Sequence, residues 1–200
     1  MSNYYPKRYY KIANGIDTGL APTNFISHKE KMNRSWLRNF DNNYELDIAC
    51  DLTFRQRKEV VINNRMQIHK MNDSFANQNI SEFLHKLNLS VYKNAYKRFG
   101  KKLDVIVSLE GGKDILREDS DSGKLTHAHI SIQQPNHMDE EKFIMLMNII
   151  WIQTPWGFSQ TKVSRVRTRV GRGKYLIKNS LDSISLAHTF TANHLRTKFT

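Results

Sequence analysis

The sequence predicts an α+β fold in which two helices cover one face of an antiparallel sheet. This is the ferredoxin-like βαββαβ arrangement, here followed by a further C-terminal helix. Segments that alternate apolar and polar residues predict strands, and segments with apolar residues three or four apart predict helices. From residue 45 onward these segments follow in the order β-α-β-β-α-β-α. The 200-residue chain is long enough for one such domain with extensions.

The first strand and the first helix have clear patterns. ELDIACDLTF (45–54) alternates throughout, which is typical of a half-buried strand. A polar, Asn-rich stretch follows it. Apolar residues then recur at helical spacing over residues 80–99, and Gly100 supplies a stop, so we predict a helix there.

The second and third strands are predicted to form a hairpin. DVIVSLE (104–110) and LTHAHISI (125–132) both alternate, and a Gly- and Asp-rich loop joins them. Asp139 then fits an N-cap, with two glutamates after it in the first turn. The run FIMLMNIIW that follows predicts a buried helix.

The last predicted strand and helix are strongly basic. KVSRVRTRV (162–170) predicts a fourth strand with three arginines on one side, and RGKYLIKNSLDSI (172–184) predicts a short helix. We therefore place one domain at residues 45–184. Residues 1–44 form a basic and aromatic N-terminal extension with one short helix near HKEKMNRSWLRNF. Residues 185–200 form a C-terminal tail without a firm pattern.

The net charge of +12 is unevenly spread along the chain. From Gln160 to Thr200, nine Lys and Arg residues stand against one acid, Asp182, whereas residues 104–122 hold six acids against two cations. A basic segment beside an acidic one suggests a polyanionic partner near a cation-binding site. A solubilising surface would have the same composition, so charge alone leaves both interpretations open.

Several protein classes are not expected from this sequence. No apolar run approaches the roughly 20 residues of a membrane span, and the first residues lack the apolar core of a secretory signal. The chain has no G-x-x-x-x-G-K-[ST] phosphate-binding motif. Its single cysteine, Cys50, excludes an internal disulfide.

The HAHI segment of the third strand carries the candidate metal ligands. Because strand side chains alternate, His127 and His129 project from the same face, opposite the apolar residues between them. In a hairpin with the second strand, Glu110 leaves on that face too. Two imidazoles and one carboxylate suit a divalent cation such as Mn²⁺, Mg²⁺ or Co²⁺. A solvated polar face is the alternative, and His137, beyond the strand end, competes as a ligand.

The YLIK segment supplies a candidate nucleophile. Tyr175 and Lys178 are three residues apart on a predicted helix and therefore share a face. A tyrosine hydroxyl beside a metal-bound phosphate is a competent nucleophile. The simpler alternative is a boundary tyrosine on a helix that buries Leu176 and Ile177.

At these residues the chain resembles a known family. HAHI is similar to the His-hydrophobic-His motif of HUH single-strand endonucleases, and YLIK is similar to the Tyr-x-x-Lys motif of rolling-circle replication initiators, the Rep proteins. ACDLTF stands where the first Rep motif is expected. The resemblance covers roughly residues 45–182 and includes the element order. The single tyrosine on the last helix resembles the single-tyrosine class.

The resemblance implies a specific set of roles. Glu110, His127 and His129 hold Mn²⁺ or Mg²⁺, Tyr175 attacks the DNA and becomes linked to its 5′-phosphate, and Lys178 supports the metal–phosphate assembly. The partners implied are single-stranded DNA at a replication origin and a separate helicase and polymerase, without a membrane. The basic residues of the last strand and helix are expected to contact the DNA backbone: Arg165, Arg167, Arg169, Arg172 and Lys174. The expected location is the cytoplasm of a bacterial host, or the nucleus for a eukaryotic virus.

Two other functions fit parts of the pattern. Transposases of the IS200/IS605 type share the metal motif and a later tyrosine, whereas relaxases place their tyrosine before the His motif. The chain also lacks the superfamily 3 helicase domain of many viral Reps. The second of these functions is that of a single-stranded nucleic-acid-binding module without chemistry. Such modules stack bases on strand aromatics, and the predicted open face offers none.

Overall fold

The computed structural model describes residues 28–43, 45–111, 126–178 and 181–190. The predicted arm before residue 28, the Gly- and Asp-rich loop and the end of the predicted tail lie outside these ranges. The described helices and strands are α1 (His28–Asn43), β1 (Ile48–Phe54), β2 (Arg57–Ile62), β3 (Arg65–Lys70), α2 (Asp73–Tyr92), α3 (Asn94–Phe99), β4 (Val105–Glu110), β5 (His127–Ile132), α4 (Glu140–Ile152), β6 (Gly157–Arg165) and α5 (Arg169–Leu176). A 3₁₀ turn at Leu181–Ser183 follows.

The main sheet has the strand order β4-β5-β1-β6, and each neighbouring pair is antiparallel. Counted in sequence without the β2–β3 hairpin, this is the order second, third, first, fourth. That is the arrangement expected of a split βαββαβ unit. The predicted α+β, ferredoxin-like fold class is therefore confirmed.

The main core lies between the sheet and the helices α2 and α4. Strand β1 alternates between fully buried and half-buried residues, with Ile48, Cys50 and Leu52 facing the core. From the helices, the apolar stripes of α2 and α4 fill the same layer, including Phe83 and Trp151, whose rings meet edge to face. Asp139 caps α4 as predicted, its side chain accepting from the backbone N–H of Lys142.

The opposite face of the sheet is partly covered, which corrects the expectation of an open face. Helices α1 and α5 pack together, and a small apolar cluster of Phe40, Leu46, Ile106 and Leu176 joins them to the sheet. Gly173 permits this contact, because a Cβ there would lie 3.0 Å from side-chain atoms of Leu37 and Phe40. The described part of the predicted N-terminal extension is thus packed on the domain.

The predicted boundaries of three elements were wrong. The fourth strand is Gly157–Arg165 and not 162–170, and the tyrosine helix begins at Arg169 and not at residue 172. As an edge strand, β6 is exposed over most of its length, so its own residues alternate weakly. The predicted helix 80–99 is two helices, beginning at Asp73 and interrupted at Lys93, where φ is +47°.

The β2–β3 hairpin was not predicted. Its two strands are joined by Asn63 and Asn64, both with positive φ, as a two-residue type I′ turn requires. Asparagine tolerates this backbone conformation better than most residues. The Asn-Asn pair between VVI and RMQI is therefore the sequence signal of a hairpin within this polar stretch.

The described end of the chain runs beside the outer edge of β4. Ser185 donates its backbone N–H to the carbonyl of Val107, and Phe190 exchanges two backbone hydrogen bonds with Val105. These bonds satisfy part of an otherwise unpaired strand edge. Among the described residues, no helix is both long and apolar enough to cross a membrane.

Candidate metal centre

Strands β4 and β5 bring the three predicted metal ligands together. Glu110 is the last residue of β4 and pairs with His127, while His129 pairs with Ser108. All three side chains leave the sheet on the face opposite the main core, as the alternation predicted. One potential ligand atom from each lies within 4.8 Å of the others.

The geometry of the three side chains is convergent. Oε2 of Glu110 lies 3.1 Å from Nε2 of His127 and 3.4 Å from Nε2 of His129. Glu110 and His129 are buried, whereas the His127 side chain is 28% exposed. The centre is therefore walled on the sheet side and accessible from the His127 side, which would leave coordination positions open to a substrate.

Two buried ligand atoms fit a bound cation. Oε1 of Glu110 and Nε2 of His129 are inaccessible to solvent and have no hydrogen-bond partner among the described residues. Such orphaned atoms are costly unless something else binds them. One carboxylate and two imidazoles suit several divalent metals. Glu110, His127 and His129 therefore form a potential divalent metal site.

The carboxylate of Glu110 is ionised at neutral pH. Its burial alone would raise its pKa, but the hydrogen bond from Lys178 and the charges of His129, Lys178 and His127 outweigh burial and lower the pKa. A coordinating carboxylate must be deprotonated. The site thus keeps this ligand in the required state.

Asp51, from the neighbouring strand β1, orients His129. Its Oδ1 lies 2.8 Å from Nδ1 of His129, its cross-strand partner. Burial acts to raise the pKa of Asp51, but the hydrogen bonds from His129 and Arg172 have the larger combined effect and lower it. The carboxylate is therefore ionised and accepts these bonds. Nδ1 therefore carries the proton, and in the neutral ring the lone pair lies on Nε2, facing the centre.

Arg172 supports this arrangement from α5. Its guanidinium donates to Asp51 Oδ1 at 3.0 Å, to Ser131 Oγ at 3.0 Å, and to the carbonyls of Cys50 and Ile130. The side chain is 8% exposed. The predicted role of Arg172 as a DNA-backbone contact does not fit this burial, because its donors are used inside the protein.

Helix α5 places Tyr175 at the mouth of the centre. The tyrosine ring lies 4.5 Å from the ring of His129, edge to face, and Tyr175 is 38% exposed. Arg172, one turn earlier, fixes the same helix to the sheet. The predicted nucleophile therefore lies beside the predicted metal ligands with a solvent-accessible surface.

Lys178 lies just beyond the end of α5. Its Nζ donates to Glu110 Oε2 at 2.9 Å and lies 4.4 Å from the centroid of the Tyr175 ring. Burial acts to lower the pKa of Lys178, but the hydrogen bond and charge of Glu110, together with the contact with Tyr175, have the larger effect and raise it. The ammonium is therefore charged and contacts both the candidate ligand and the candidate nucleophile.

The other predicted DNA-contact residues are exposed but are not on one strand. Arg165 ends β6 and pairs with Glu140 at 3.2 Å. Arg167 lies between β6 and α5, and Arg169 begins α5. Lys174 is an exposed residue of α5. These four cations are accessible to a ligand.

Comparison with known proteins gave no relationship. No protein-family model matches the chain, and neither the curated proteins nor the solved structures contain a significant match.

Proposed function

We propose that this chain is a metal-dependent HUH single-strand DNA endonuclease that nicks and rejoins a replication origin. The observation that carries this proposal is the contact of Tyr175 with His129 beside the Glu110, His127 and His129 cluster. A tyrosine, a lysine and three convergent metal ligands are the parts that phosphodiester transfer needs. The similarity of HAHI and YLIK to the Rep motifs supports the same function.

The chemistry assigned to these residues is a transesterification. A bound Mn²⁺ or Mg²⁺ would polarise the scissile phosphate and offset its developing charge. The Tyr175 hydroxyl attacks phosphorus in line, the bond from phosphorus to the 3′-oxygen breaks, and the hydroxyl proton is transferred, in net terms, to that oxygen. The products are a 5′-phosphotyrosine and a free 3′-hydroxyl.

The side chains around Tyr175 have separate tasks. The Lys178 ammonium favours negative charge on the tyrosine oxygen and on the phosphate. Asp51 keeps the Nε2 lone pair of His129 turned toward the centre, and Arg172 holds Asp51 and α5 in place. Because the phosphodiester bond energy is retained in the tyrosine ester, the same site can rejoin the strand without ATP.

The substrate of this reaction would be single-stranded DNA at an origin. The exposed Arg165, Arg167, Arg169 and Lys174 are suited to phosphate contacts, which predicts binding that weakens steeply with salt. A separate helicase would then separate the strands, and a separate polymerase would extend the 3′-hydroxyl. A transposase of the IS200/IS605 type would use the same centre at hairpin-bearing element ends.

The proposal is tested by covalent capture. Purified protein is incubated with pooled single-stranded oligonucleotides and Mn²⁺, and adducts are detected by denaturing gel and intact mass. We expect an adduct that Tyr175→Phe and His127→Ala both abolish and that EDTA prevents. Tyr96→Phe is the matched control, because this tyrosine contacts His85 and not the metal centre. An adduct retained by Tyr175→Phe would contradict the assigned nucleophile, and metal-independent binding without any adduct would favour a binding module.

A further inference from the structure

The β2–β3 hairpin presents a fully exposed face that the chemistry described above does not use. We call residues 57–70 the ribbon. On its outer face the cross-strand pairs are Arg57 with Lys70, Glu59 with Ile68, and Val61 with Met66. Val61, Met66 and Ile68 are 71%, 69% and 63% exposed. Three large apolar side chains grouped on one exposed face typically mark an interaction surface.

The inner face of the ribbon holds it against the domain. The His69 ring stacks on the Phe75 ring with their centroids 5.9 Å apart, and Phe75 stacks in turn on Trp156 with centroids 5.0 Å apart. At the base, Arg55 donates its backbone N–H to the carbonyl of Trp156, and Met71 donates to that of Gln56. These contacts attach the base of the ribbon to the domain and leave its outer face exposed.

The charge of the ribbon indicates the kind of partner. From residue 55 to 70 the sequence contains five Lys and Arg residues against the single acid Glu59. Two such ribbons would repel each other, which disfavours a second copy of the chain as the occupant. A polyanion satisfies the charge, and the major groove of a DNA duplex also offers thymine methyl groups for apolar contact with Val61, Met66 and Ile68.

The base of the ribbon adjoins the candidate metal centre. Thr53 pairs with His127 across β1 and β5. The Gln56 side chain exchanges two hydrogen bonds with the backbone of Thr126, the residue before His127. A groove lined by Thr53, Arg55, Gln56, Arg57, Phe158 and Gln160 lies at this junction. A nucleic acid strand leaving the centre past His127 therefore meets the ribbon.

We propose that the ribbon binds duplex DNA next to the single strand that the metal centre cuts. A two-stranded β-ribbon fits the major groove of B-form DNA. In that position Val61, Met66 and Ile68 contact base edges and thymine methyl groups, while Arg57 and Lys70 contact phosphates. This inference rests on the proposed function, since it assigns a second DNA-binding element to the same substrate.

The experiment compares two DNA ligands by fluorescence anisotropy. One is a duplex with a single-stranded tail, and the other is the single-stranded oligonucleotide alone. The first variant is Val61→Ser, Met66→Ser, Ile68→Ser, and the second is Arg57→Gln, Lys70→Gln. The matched control is Lys97→Ala, Phe99→Ser on α3, which also removes one cation and one large exposed apolar residue.

We expect the first variant to weaken binding of the tailed duplex by about tenfold or more, and single-strand binding by less than about twofold. The second should lower the slope of log affinity against log salt by about 2 for the tailed duplex. The control should change neither value. All variants should unfold at the wild-type temperature, because the altered side chains are exposed.

Three results would overturn the ribbon assignment. The first is wild-type protein that binds the tailed duplex no more tightly than the single strand. The second is ribbon variants that bind the duplex with wild-type affinity. The third is ribbon variants that change only the sedimentation mass, which would make a second copy of the chain the occupant. Covalent capture on the single-stranded oligonucleotide is measured on the same samples. Loss of duplex affinity with the adduct retained supports the ribbon. Loss of duplex affinity in protein that never forms an adduct also supports the ribbon, but refutes the proposed nuclease.

Discussion

Asp51 and His129 are joined by a 2.8 Å contact between Oδ1 and Nδ1 that connects the central strand of the sheet to the metal-ligand strand. This contact places the proton on Nδ1 and leaves the lone pair on Nε2, the nitrogen that faces Glu110. Partners of this kind fix the orientation of a ligating histidine and raise its basicity.

Asp51→Asn should therefore weaken metal binding without removing a ligand. We expect Mn²⁺ affinity to fall about 10- to 100-fold, because the amide holds the imidazole less firmly and no longer pairs with Arg172. Titration calorimetry with Mn²⁺ measures this. Asp47→Asn, immediately before β1, is the matched control. Unchanged affinity in Asp51→Asn would show that Asp51 has no positioning role.

Arg172→Gln should destabilise the whole domain. The substitution leaves Asp51 without its buried cation and leaves the carbonyls of Cys50 and Ile130 short of a donor. We expect the free energy of unfolding to fall by about 3–5 kcal/mol, measured by urea denaturation. Arg169→Gln, an exposed change in the same helix, should stay within about 0.5 kcal/mol. A similar small effect in Arg172→Gln would refute the anchoring role.

Lys178→Ala should separate metal binding from strand transfer. The Lys178 ammonium now holds Glu110 Oε2 at 2.9 Å and repels an incoming cation. Without it, we expect Mn²⁺ to bind severalfold more tightly while covalent adduct formation slows. Lys174→Ala, exposed on α5, serves as the control for general charge loss. Weaker Mn²⁺ binding in Lys178→Ala would mean that the lysine assists the site and does not compete with the metal.

Cys50 should be unreactive in the folded protein. The thiol projects from β1 into the main core and is fully buried. Burial raises its pKa to about 12, although the charge of Arg172 opposes this. Iodoacetamide should therefore label it at pH 8 only after urea unfolds the chain, as followed by intact mass. Rapid labelling of the native protein would contradict the buried position of the first strand.

The same thiol predicts a loss of stability at alkaline pH. The unfolded thiol loses its proton above its ordinary pKa of 9.0, whereas the folded thiol keeps it until about 12. Between these values the native state binds more protons, so stability falls as pH rises, by at most about 1.4 kcal/mol per pH unit. Denaturation of wild type and Cys50→Ala across this range should show a shallower decline in the variant. Identical slopes would exclude this contribution.

Local periodicity was sufficient to predict the placement of the three candidate ligands. Alternation along two strands joined as a hairpin put Glu110, His127 and His129 on one face, and the structure confirms that placement. Asp51 could not be found in this way. It lies 78 residues before His129 in the chain, and the two meet only because the first strand inserts between the third and the fourth.

Arg172 and the ribbon illustrate two other limits of sequence reasoning. Arg172 belongs to a run of cations, which predicts an exposed residue. It is buried only because α5 docks on the sheet. The ribbon alternates poorly, since its outer face mixes charged and apolar residues that meet no core. Arg172 is placed by contacts with strands distant in the chain, whereas the two strands of the ribbon are adjacent in the chain and pair with each other.

The most direct test of the account is a crystal structure of the protein soaked in Mn²⁺, with anomalous diffraction to locate the ion. We predict a peak about 2.1 Å from a Glu110 carboxylate oxygen and from Nε2 of both His127 and His129, with Tyr175 at its open side. The peak should be lost in His129→Ala. An ordered Mn²⁺ elsewhere, or none at this centre when the ion is in large excess, would contradict the metal site on which the proposed chemistry depends.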